Sequence, residues 1–163
     1  MSVIKGYMNG VAIYERSARN NEDNLAEDNL AKKNRRDVYG VPYQCVEFAR
    51  RYYIQKFHVT FPDVDNAYDL FDLKYATDLR TKKRIRLHAI PNSSAMPEPG
   101  DMIIWKPEGR YATTGHVAIM KQIVNRSTVT IMEQNGNTNN GQRNIRIHHS
   151  GILGWMHLSD NQR

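Results

Sequence analysis

The sequence predicts an α+β domain in which helices come first and an antiparallel β-sheet follows. Apolar residues recur at helical spacing after Cys45, whereas after Gly100 they form short strand-like runs separated by turn signals. The 163 residues, of which 40% are hydrophobic, suffice for one domain with a sizeable core. Because no internal repeat or linker is visible, we predict a single domain over residues 1–163.

The first half of the chain carries the helical patterns. An apolar stripe at helical spacing consists of Cys45, Phe48, Ala49, Tyr52 and Tyr53. Since Pro42 disfavours helix just before it, the stripe predicts a helix from Cys45 to about Phe57. A second helix is expected over residues 66–79, capped by Asp63 or Asp65. The polar stretch 16–37 is interpreted as a surface excursion with one helix over 22–33.

Strand patterns dominate the second half. The apolar runs and alternating stretches cover residues 101–106, 115–120, 127–133, 144–148 and 151–158. A short early strand is also expected over residues 10–14. Residues 134–142 are almost entirely Asn, Gln and Gly, which indicates a loop. The later strands are therefore expected to form one antiparallel sheet against which the helices pack.

Composition excludes several classes of protein. The net charge of +6 suggests a nucleic-acid partner, but the basic residues are scattered, and the dense group at residues 80–86 has no interleaved aromatic residue. We therefore interpret that group as a solvated basic face and expect no nucleic-acid partner. The sequence has no run long enough to span a membrane and no secretory h-region, so a cytoplasmic protein is expected. The single cysteine excludes an intramolecular disulfide.

Cys45 is the first candidate for catalysis. A thiol in the first turn of a helix lies where unpaired backbone N–H groups and the helix dipole favour negative charge. Both effects lower the pKa of the thiol and increase the thiolate fraction. The alternative is that a lone cysteine is simply a small buried hydrophobic residue.

Nucleophilic cysteine chemistry also needs an imidazole to exchange the proton and a third group to orient the imidazole. Among the six histidines, His116 follows a glycine and begins an apolar strand. Glu133 ends an inward-facing row with Val129 and Ile131, where a carboxylate needs a partner. The alternatives are a core histidine satisfied by its neighbours and a solvated Glu133.

Two amide side chains complete the set of candidates. Asn135 is a second group that could orient His116. Gln44 directly precedes the cysteine, where its side-chain amide could help to stabilise an oxyanion beside the N–H groups of the helix N-terminus.

Three motifs in this order resemble a known family. They are Gln-Cys-Val-Glu-Phe-Ala-Arg-Arg at residues 44–51, Thr-Gly-His-Val-Ala-Ile at 114–119 and Glu-Gln-Asn at 133–135. They are similar to the CHAP family of cysteine, histidine-dependent amidohydrolases/peptidases. More narrowly, they resemble the amidase domains of glutathionylspermidine synthetase/amidases. The likeness covers roughly residues 6–156.

The resemblance implies a papain-like fold and a triad of Cys45 as nucleophile, His116 as base and Glu133 as orienting carboxylate. It implies hydrolysis of the amide that joins the glycine carboxyl of glutathione to spermidine, through a thioester. The expected partner is thus a small-molecule glutathione–polyamine conjugate, and no metal or cofactor is implied. Arg50 is the first candidate to bind the glutathione carboxylates, although helix geometry turns it well away from Cys45.

Two departures from the family pattern affect the expected substrate. Tyr43 stands where close relatives carry tryptophan, and no synthetase domain follows residue 163, so we expect hydrolysis alone. Two rival functions remain open at this point. One is a peptidoglycan-cleaving CHAP amidase or endopeptidase, and the other is a non-catalytic basic binding module.

Overall fold

A computed structural model of the chain describes residues 3–15, 44–93, 95–136 and 140–159. The predicted helix over 22–33, the turn before Cys45, Tyr43 and part of the predicted loop 134–142 lie outside the described residues. Among the described residues, no helix is long and apolar enough to cross a membrane.

The described residues contain one α-helix, α1 (Cys45–Phe57), and two short 3-10 helices (Ala67–Asp72 and Gly109–Tyr111). The strands are β1 (Ile4–Met8), β2 (Val11–Tyr14), β3 (Val59–Thr60), β4 (Tyr75–Asp78), β5 (Arg84–Pro91), β6 (Met102–Trp105), β7 (His116–Ile123), β8 (Thr128–Met132), β9 (Gln142–Arg146) and β10 (Ile152–Leu158).

Among the described residues, eight strands form one antiparallel sheet in the order β3-β4-β5-β10-β6-β7-β8-β9. Strands β1 and β2 form a separate antiparallel pair. The four strands β6 to β9 are neighbours both in sequence and in the sheet. This arrangement brings the start of β7, the end of β8 and the start of β9 to the same edge of the sheet, where the candidate site lies.

The helix α1 packs on one face of the sheet. The apolar residues of this first core include Phe48, Tyr52, Tyr53, Met102, Ile104, Val117 and Ile119. A second core on the opposite face includes Ile103, Trp105, Ala118, Met120, Val129 and Ile131. Successive side chains of a strand point to opposite faces. Since both faces of β6 and β7 are covered, these strands have continuous apolar runs rather than alternating ones.

The helix prediction for α1 and the five late strand predictions are confirmed to within a few residues. The prediction of a helix over 66–79 is wrong. The segment begins a 3-10 helix at Ala67, where the Asn66 N–H donates to the Asp69 carboxylate at 2.9 Å, and it leaves the helical conformation at Leu73. Residues 75–78 then pair with β5 as a strand.

The interpretation of residues 80–86 as only a solvated basic face is also incomplete. Ile85 and Leu87 are buried while Arg84 and Arg86 are exposed, so the segment has the alternation of a half-buried strand. The fold is thus a mostly antiparallel α+β arrangement. Instead of several N-terminal helices before the sheet, the described residues show one α-helix followed directly by strands β3, β4 and β5.

Candidate active site

Cys45 is the first residue of α1 and is half-buried. Gln44 before it has an extended backbone, so the thiol lies in the first turn, as the sequence predicts. Burial raises the pKa of Cys45, but the hydrogen bond to His116 and the charge of that ring oppose it. Backbone N–H groups of Val117 and Val46 add to the effect, and together these contacts lower the pKa of the thiol below its ordinary value.

His116 is the first residue of β7 and is 3% exposed. Gly115 before it has a φ of +66°, which favours glycine. A Cβ at this position would lie 2.5 Å from the Trp105 carbonyl oxygen and 3.0 Å from the Tyr68 Cβ atom. Glycine therefore allows the chain to enter β7 at a close distance to β6, and this fixes the position of the imidazole.

The carboxylate of Glu133 lies directly after β8 and contacts the imidazole. The distance from His116 Nε2 to Glu133 Oε1 is 2.8 Å, and Glu133 is completely buried. Since the carboxylate accepts, Nε2 carries the proton, and Nδ1 is the ring nitrogen left for the thiol of Cys45. The thiol, the imidazole and the carboxylate are thus connected by hydrogen bonds in that order.

Arg143 on β9 binds both oxygens of Glu133. Its Nη2 donates to Glu133 Oε1 at 3.1 Å and its Nε donates to Glu133 Oε2. The same Nη2 donates to the hydroxyl of Tyr111 at 2.9 Å. Burial raises the pKa of Glu133, but the hydrogen bonds and charges of His116 and Arg143 outweigh it and lower the pKa to about 2. The carboxylate therefore stays ionised over the whole physiological pH range.

Two aromatic side chains flank the imidazole. The Tyr111 ring stacks on His116 with a centroid distance of 4.6 Å and an interplanar angle of 5°. The Trp105 ring lies 5.2 Å from the same imidazole, and the Arg143 guanidinium lies 5.7 Å from the Trp105 ring. These contacts restrict rotation of the imidazole and keep water away from its hydrogen bond with Glu133.

Gln134 connects the Glu133 segment to α1. Its Nε2 donates to the Gln44 carbonyl at 2.9 Å and to Glu47 Oε2 at 2.8 Å. Its Oε1 accepts from Arg51 Nη2 at 2.8 Å and from the Tyr14 N–H at 3.0 Å. Glu47 and Arg51 also pair with each other at 2.9 Å. This buried network fixes the N-terminus of α1, and hence the thiol, relative to the end of β8.

Asn135 contacts Gln44 rather than the imidazole. Its Nδ2 donates to Gln44 Oε1 at 2.9 Å, and its own Oδ1 is buried without a hydrogen-bond partner among the described residues. Since Gln44 Oε1 is used as an acceptor, the NH₂ group of Gln44 remains available as a donor. The structure thus assigns Asn135 to Gln44, whereas the sequence suggested it as an alternative partner for His116.

The charges of the site favour a thiolate and an imidazolium. Burial lowers the pKa of His116, but its hydrogen bonds with Cys45 and Glu133, and the charges of both, raise the pKa above its ordinary value. A lowered thiol pKa and a raised imidazole pKa describe one coupled pair. Such a pair supplies both a nucleophile and an acid at neutral pH.

The structure does not direct Arg50 toward the thiol. The residue is 3% exposed, and its guanidinium donates to the Pro62 carbonyl at 3.1 Å and pairs with Asp63 at 3.2 Å. The ring of Phe61 lies 4.8 Å beneath it. These contacts hold the guanidinium between α1 and the segment after β3, so they give no support to the predicted binding of substrate carboxylates.

Sequence reasoning missed Arg143 and Tyr111. One signal for Arg143 was present, because Arg143, Ile145 and Ile147 alternate like Val129, Ile131 and Glu133, and a charge in an inward-facing row needs a partner. The partner of Arg143 depends on the register between β8 and β9. Arg143 lies opposite Ile131, which is two residues before Glu133 on the same face of β8. Tyr111 precedes His116 by five residues in a turn-rich segment, and no pattern in the sequence singles it out.

The model of the CHAP domain matches residues 36–135 of the chain. The chain belongs to the CHAP family. The matched segment contains Cys45, His116 and Glu133 and ends at Asn135, so Arg143 and strand β9 lie beyond it.

Two curated relatives illustrate the likeness. The chain is 36% identical to the bifunctional glutathionylspermidine synthetase/amidase of Escherichia coli over 129 residues, which are 77% of this chain and 21% of that protein. It is 38% identical to the trypanothione synthetase of Crithidia fasciculata over 97 residues, which are 59% of this chain and 15% of that protein. This CHAP chain therefore spans only about a fifth of the length of the curated relatives it matches.

Proposed function

We propose that this CHAP protein is a cysteine amidase that hydrolyses glutathionylspermidine to glutathione and spermidine. The observation that carries the proposal is the hydrogen-bonded order of Cys45, His116 and Glu133 at one edge of the sheet. The similarity to an enzyme named as a glutathionylspermidine amidase supports the choice of substrate. The protein would thus act on a small-molecule conjugate of glutathione and a polyamine.

In the first half-reaction the Cys45 thiolate attacks the carbonyl carbon of the scissile amide. The NH₂ group of Gln44 and the backbone N–H of Cys45 donate hydrogen bonds to the oxyanion that forms. The imidazolium of His116 then gives its Nδ1 proton to the leaving nitrogen. The C–N bond breaks, spermidine leaves as an amine, and the glutathionyl group stays on Cys45 as a thioester.

In the second half-reaction His116 acts as the base. Its neutral Nδ1 accepts a proton from water, and the resulting hydroxide attacks the thioester carbonyl. The C–S bond breaks, glutathione leaves as the glycine carboxylic acid, which loses its proton to solvent, and the thiolate and imidazolium are regenerated. Glu133 does not exchange a proton in either step. It accepts the Nε2 hydrogen bond and stabilises the imidazolium, as the orienting acid does in other triads.

Mass spectrometry of glutathionylspermidine incubated with the wild type and with Cys45→Ala tests the proposal. The wild type should release glutathione and spermidine in equal amounts, and Cys45→Ala should release neither. In H₂¹⁸O, one ¹⁸O atom should enter the glycine carboxyl of glutathione. Hydroxylamine should divert the thioester to the glutathione hydroxamate. Equal turnover by Cys45→Ala would overturn the proposed mechanism. Trypanothione, the conjugate named in the Crithidia relative, is the second substrate to assay.

A peptidoglycan amidase or endopeptidase is the second candidate function. The basic isoelectric point, about 9.5, favours an anionic polymer such as the bacterial wall. The same triad would perform the same chemistry on a peptide bond of the wall. Clearing of a cell-wall suspension by wild type but not by Cys45→Ala, without release of spermidine from the conjugate, would make this the preferred function.

A further inference from the structure

A cavity of about 420 Å³ lies beside the candidate site. Residues after β6, the 3-10 helix Gly109–Tyr111, strand β9 and the start of β10 form its walls. Neither Cys45 nor His116 lines it, but Trp105, Tyr111 and Arg143 do. These three side chains therefore separate the cavity from the imidazole, with the imidazole on one side and the open space on the other. The volume is in the range of small-molecule sites.

The cavity combines an apolar floor with cationic walls. Trp105, Ile145 and Ile152 supply the apolar surface, and each is buried in the second core. The cations on the walls are Lys106, Arg110, Arg143 and Arg146, whereas Glu108 is the one carboxylate among the lining residues. An apolar floor with a few converging polar groups is typical of a binding site.

Three of these cations have no acidic partner. Among the residues that the structure describes, no carboxylate lies within ion-pair distance of Lys106, Arg110 or Arg146. Arg143 uses Nε and Nη2 for Glu133 and Tyr111, and its Nη1 makes no hydrogen bond within the described residues. Cations that line one cavity without a counter-charge attract anions, and guanidinium groups match the geometry of carboxylates and phosphates.

We propose that this cavity binds a small organic anion, in which a carboxylate or phosphate is attached to a flat apolar group. The anion pairs with Arg110 and Arg146 at the walls, with Lys106 and the Nη1 of Arg143 within the same space. The flat group packs against Trp105 and the two isoleucines of the floor. Since Arg143 also binds Glu133, the occupant lies one side chain away from the triad.

Calorimetric titration with phenyl phosphate tests the proposal without any substrate turnover, so its result is independent of the proposed amidase function. We expect one saturable site in the wild type. Arg110→Gln and Arg146→Gln should each weaken binding by about tenfold, as loss of a charge-assisted hydrogen bond does. The matched control Arg84→Gln, on the exposed face of β5, should bind like the wild type. Arg110 and Arg146 are exposed, so both variants should fold, which thermal melting checks.

Two further probes examine the two parts of the ligand. Inorganic phosphate should bind more weakly than phenyl phosphate because it lacks the apolar group, and phenol should not bind because it lacks the charge. No saturable binding of phenyl phosphate at millimolar concentration, or equal binding by the wild type and both arginine variants, would overturn the proposal. Equal affinity for inorganic phosphate and phenyl phosphate would overturn the role of the apolar floor.

The anion has two possible sources, and inhibition kinetics distinguish them. If it is a carboxylate of the glutathionyl substrate itself, phenyl phosphate should raise the KM for glutathionylspermidine and leave kcat unchanged. If it is a separate molecule, phenyl phosphate should change kcat at saturating substrate. This arm rests on the proposed function, whereas the titration does not.

Discussion

Two neighbouring residues after β8 each contact a glutamate–arginine pair: Gln134 bonds to the pair Glu47 and Arg51, and Glu133 itself pairs with Arg143. Glu47 and Arg51 lie on α1, with side-chain exposures of 0% and 4%, and Gln134 completes their hydrogen bonds. Glu133 and Arg143 lie at the edge of the sheet, with side-chain exposures of 0% and 29%. In the second pair His116 takes the place of the amide.

This difference separates a structural role from a chemical one. Every polar contact around Glu47 and Arg51 that is described above goes to a group whose charge does not change near neutral pH. The Glu133 pair instead contacts an imidazole, which gains and loses a proton and is itself bonded to a thiol. We therefore expect changes at the first pair to lower stability and changes at the second pair to lower reactivity.

Glu47→Ala should have the largest effect on stability. It leaves the Arg51 guanidinium buried without its carboxylate, and breaking a buried pair in this way costs about 3–5 kcal/mol. Urea unfolding, followed by circular dichroism, measures the loss. The control Asp72→Ala removes an exposed carboxylate and should change the free energy of unfolding by less than about 0.5 kcal/mol. A Glu47→Ala variant as stable as this control would contradict the structural assignment.

Glu133→Gln should have the largest effect on reactivity among variants that keep the thiol. Without the carboxylate the pKa of His116 falls and, because the imidazolium lowers the thiol pKa, the pKa of Cys45 rises. The thiolate–imidazolium pair then exists over a narrower pH range at both ends. We expect kcat/KM to fall by about 10²–10³-fold, within the range for general acid–base groups. The rate of Cys45 alkylation by iodoacetamide, measured against pH, reports the acid end of this change, the raised thiol pKa, without a substrate.

Stability distinguishes this variant from Glu47→Ala. Arg143 is partly exposed and can be solvated when Glu133 loses its charge, so Glu133→Gln should be less destabilised than Glu47→Ala. If Glu133→Gln unfolded more easily than Glu47→Ala, or if its alkylation profile matched that of the wild type, the two pairs would not differ in the way that we argue.

The sequence predicts those parts of the fold where packing covers both faces of a strand or one stripe of a helix. Helix α1 and the central strands β6, β7, β8 and β10 have apolar patterns strong enough to identify them. Strand β5 was missed because Arg84 and Arg86 obscured the alternation of Ile85 and Leu87. Strand β4 was missed because its residues were assigned to the predicted helix over 66–79. The 3-10 helix starting at Ala67 has the capping residues of a longer helix, and only pairing of residues 75–78 with β5 explains its early end.

In the candidate site, too, some residues can be predicted from local patterns and others depend on how the strands pair. Cys45, His116 and Glu133 each have a local signal, namely a helix start, a glycine followed by a strand, and a carboxylate in an apolar row. The contacts of Arg143 and Tyr111 depend on the order and register of β8 and β9, which local patterns do not specify. The surroundings of Arg50 could not be predicted for a related reason, since its contacts with Phe61 and Asp63 depend on the path of the chain after β3.

Arg143→Gln should have a smaller effect than Glu133→Gln, because the carboxylate remains. The variant removes one of the two cations that keep the pKa of Glu133 at about 2, so that pKa should rise. Glu133 is still ionised at neutral pH, where we expect kcat/KM to fall by about tenfold through looser positioning. As pH falls, Glu133 should become protonated earlier than in the wild type, which moves the acid limb of the alkylation profile to higher pH.

The alkaline limb and a control complete this test. The alkaline limb of kcat/KM, where turnover needs the imidazolium as an acid, reports deprotonation of His116 and should not move to lower pH, because Glu133 keeps its charge there. Arg84→Gln, which removes an exposed arginine on β5, should leave both limbs in place. If Arg143 had a purely structural role, Arg143→Gln would lose stability but keep both pH limbs where they are in the wild type. An unshifted acid limb would therefore contradict the proposal that Arg143 positions Glu133 and lowers its pKa.

Tyr111→Phe should have the smallest effect, because it separates the two contacts of this residue. The phenylalanine ring can still stack on His116, while the hydrogen bond from Arg143 Nη2 to the hydroxyl is lost. One such bond contributes about 0.5–1.5 kcal/mol, so kcat/KM should fall by no more than about tenfold, with neither pH limb shifted. Tyr111→Leu also removes the stacked ring and should lower kcat/KM further, because the imidazole can then rotate and water can reach its bond with Glu133. Equal activity of Tyr111→Phe and Tyr111→Leu would show that the stacking contact does not orient His116, which would leave Glu133 and its arginine as the groups that hold the imidazole.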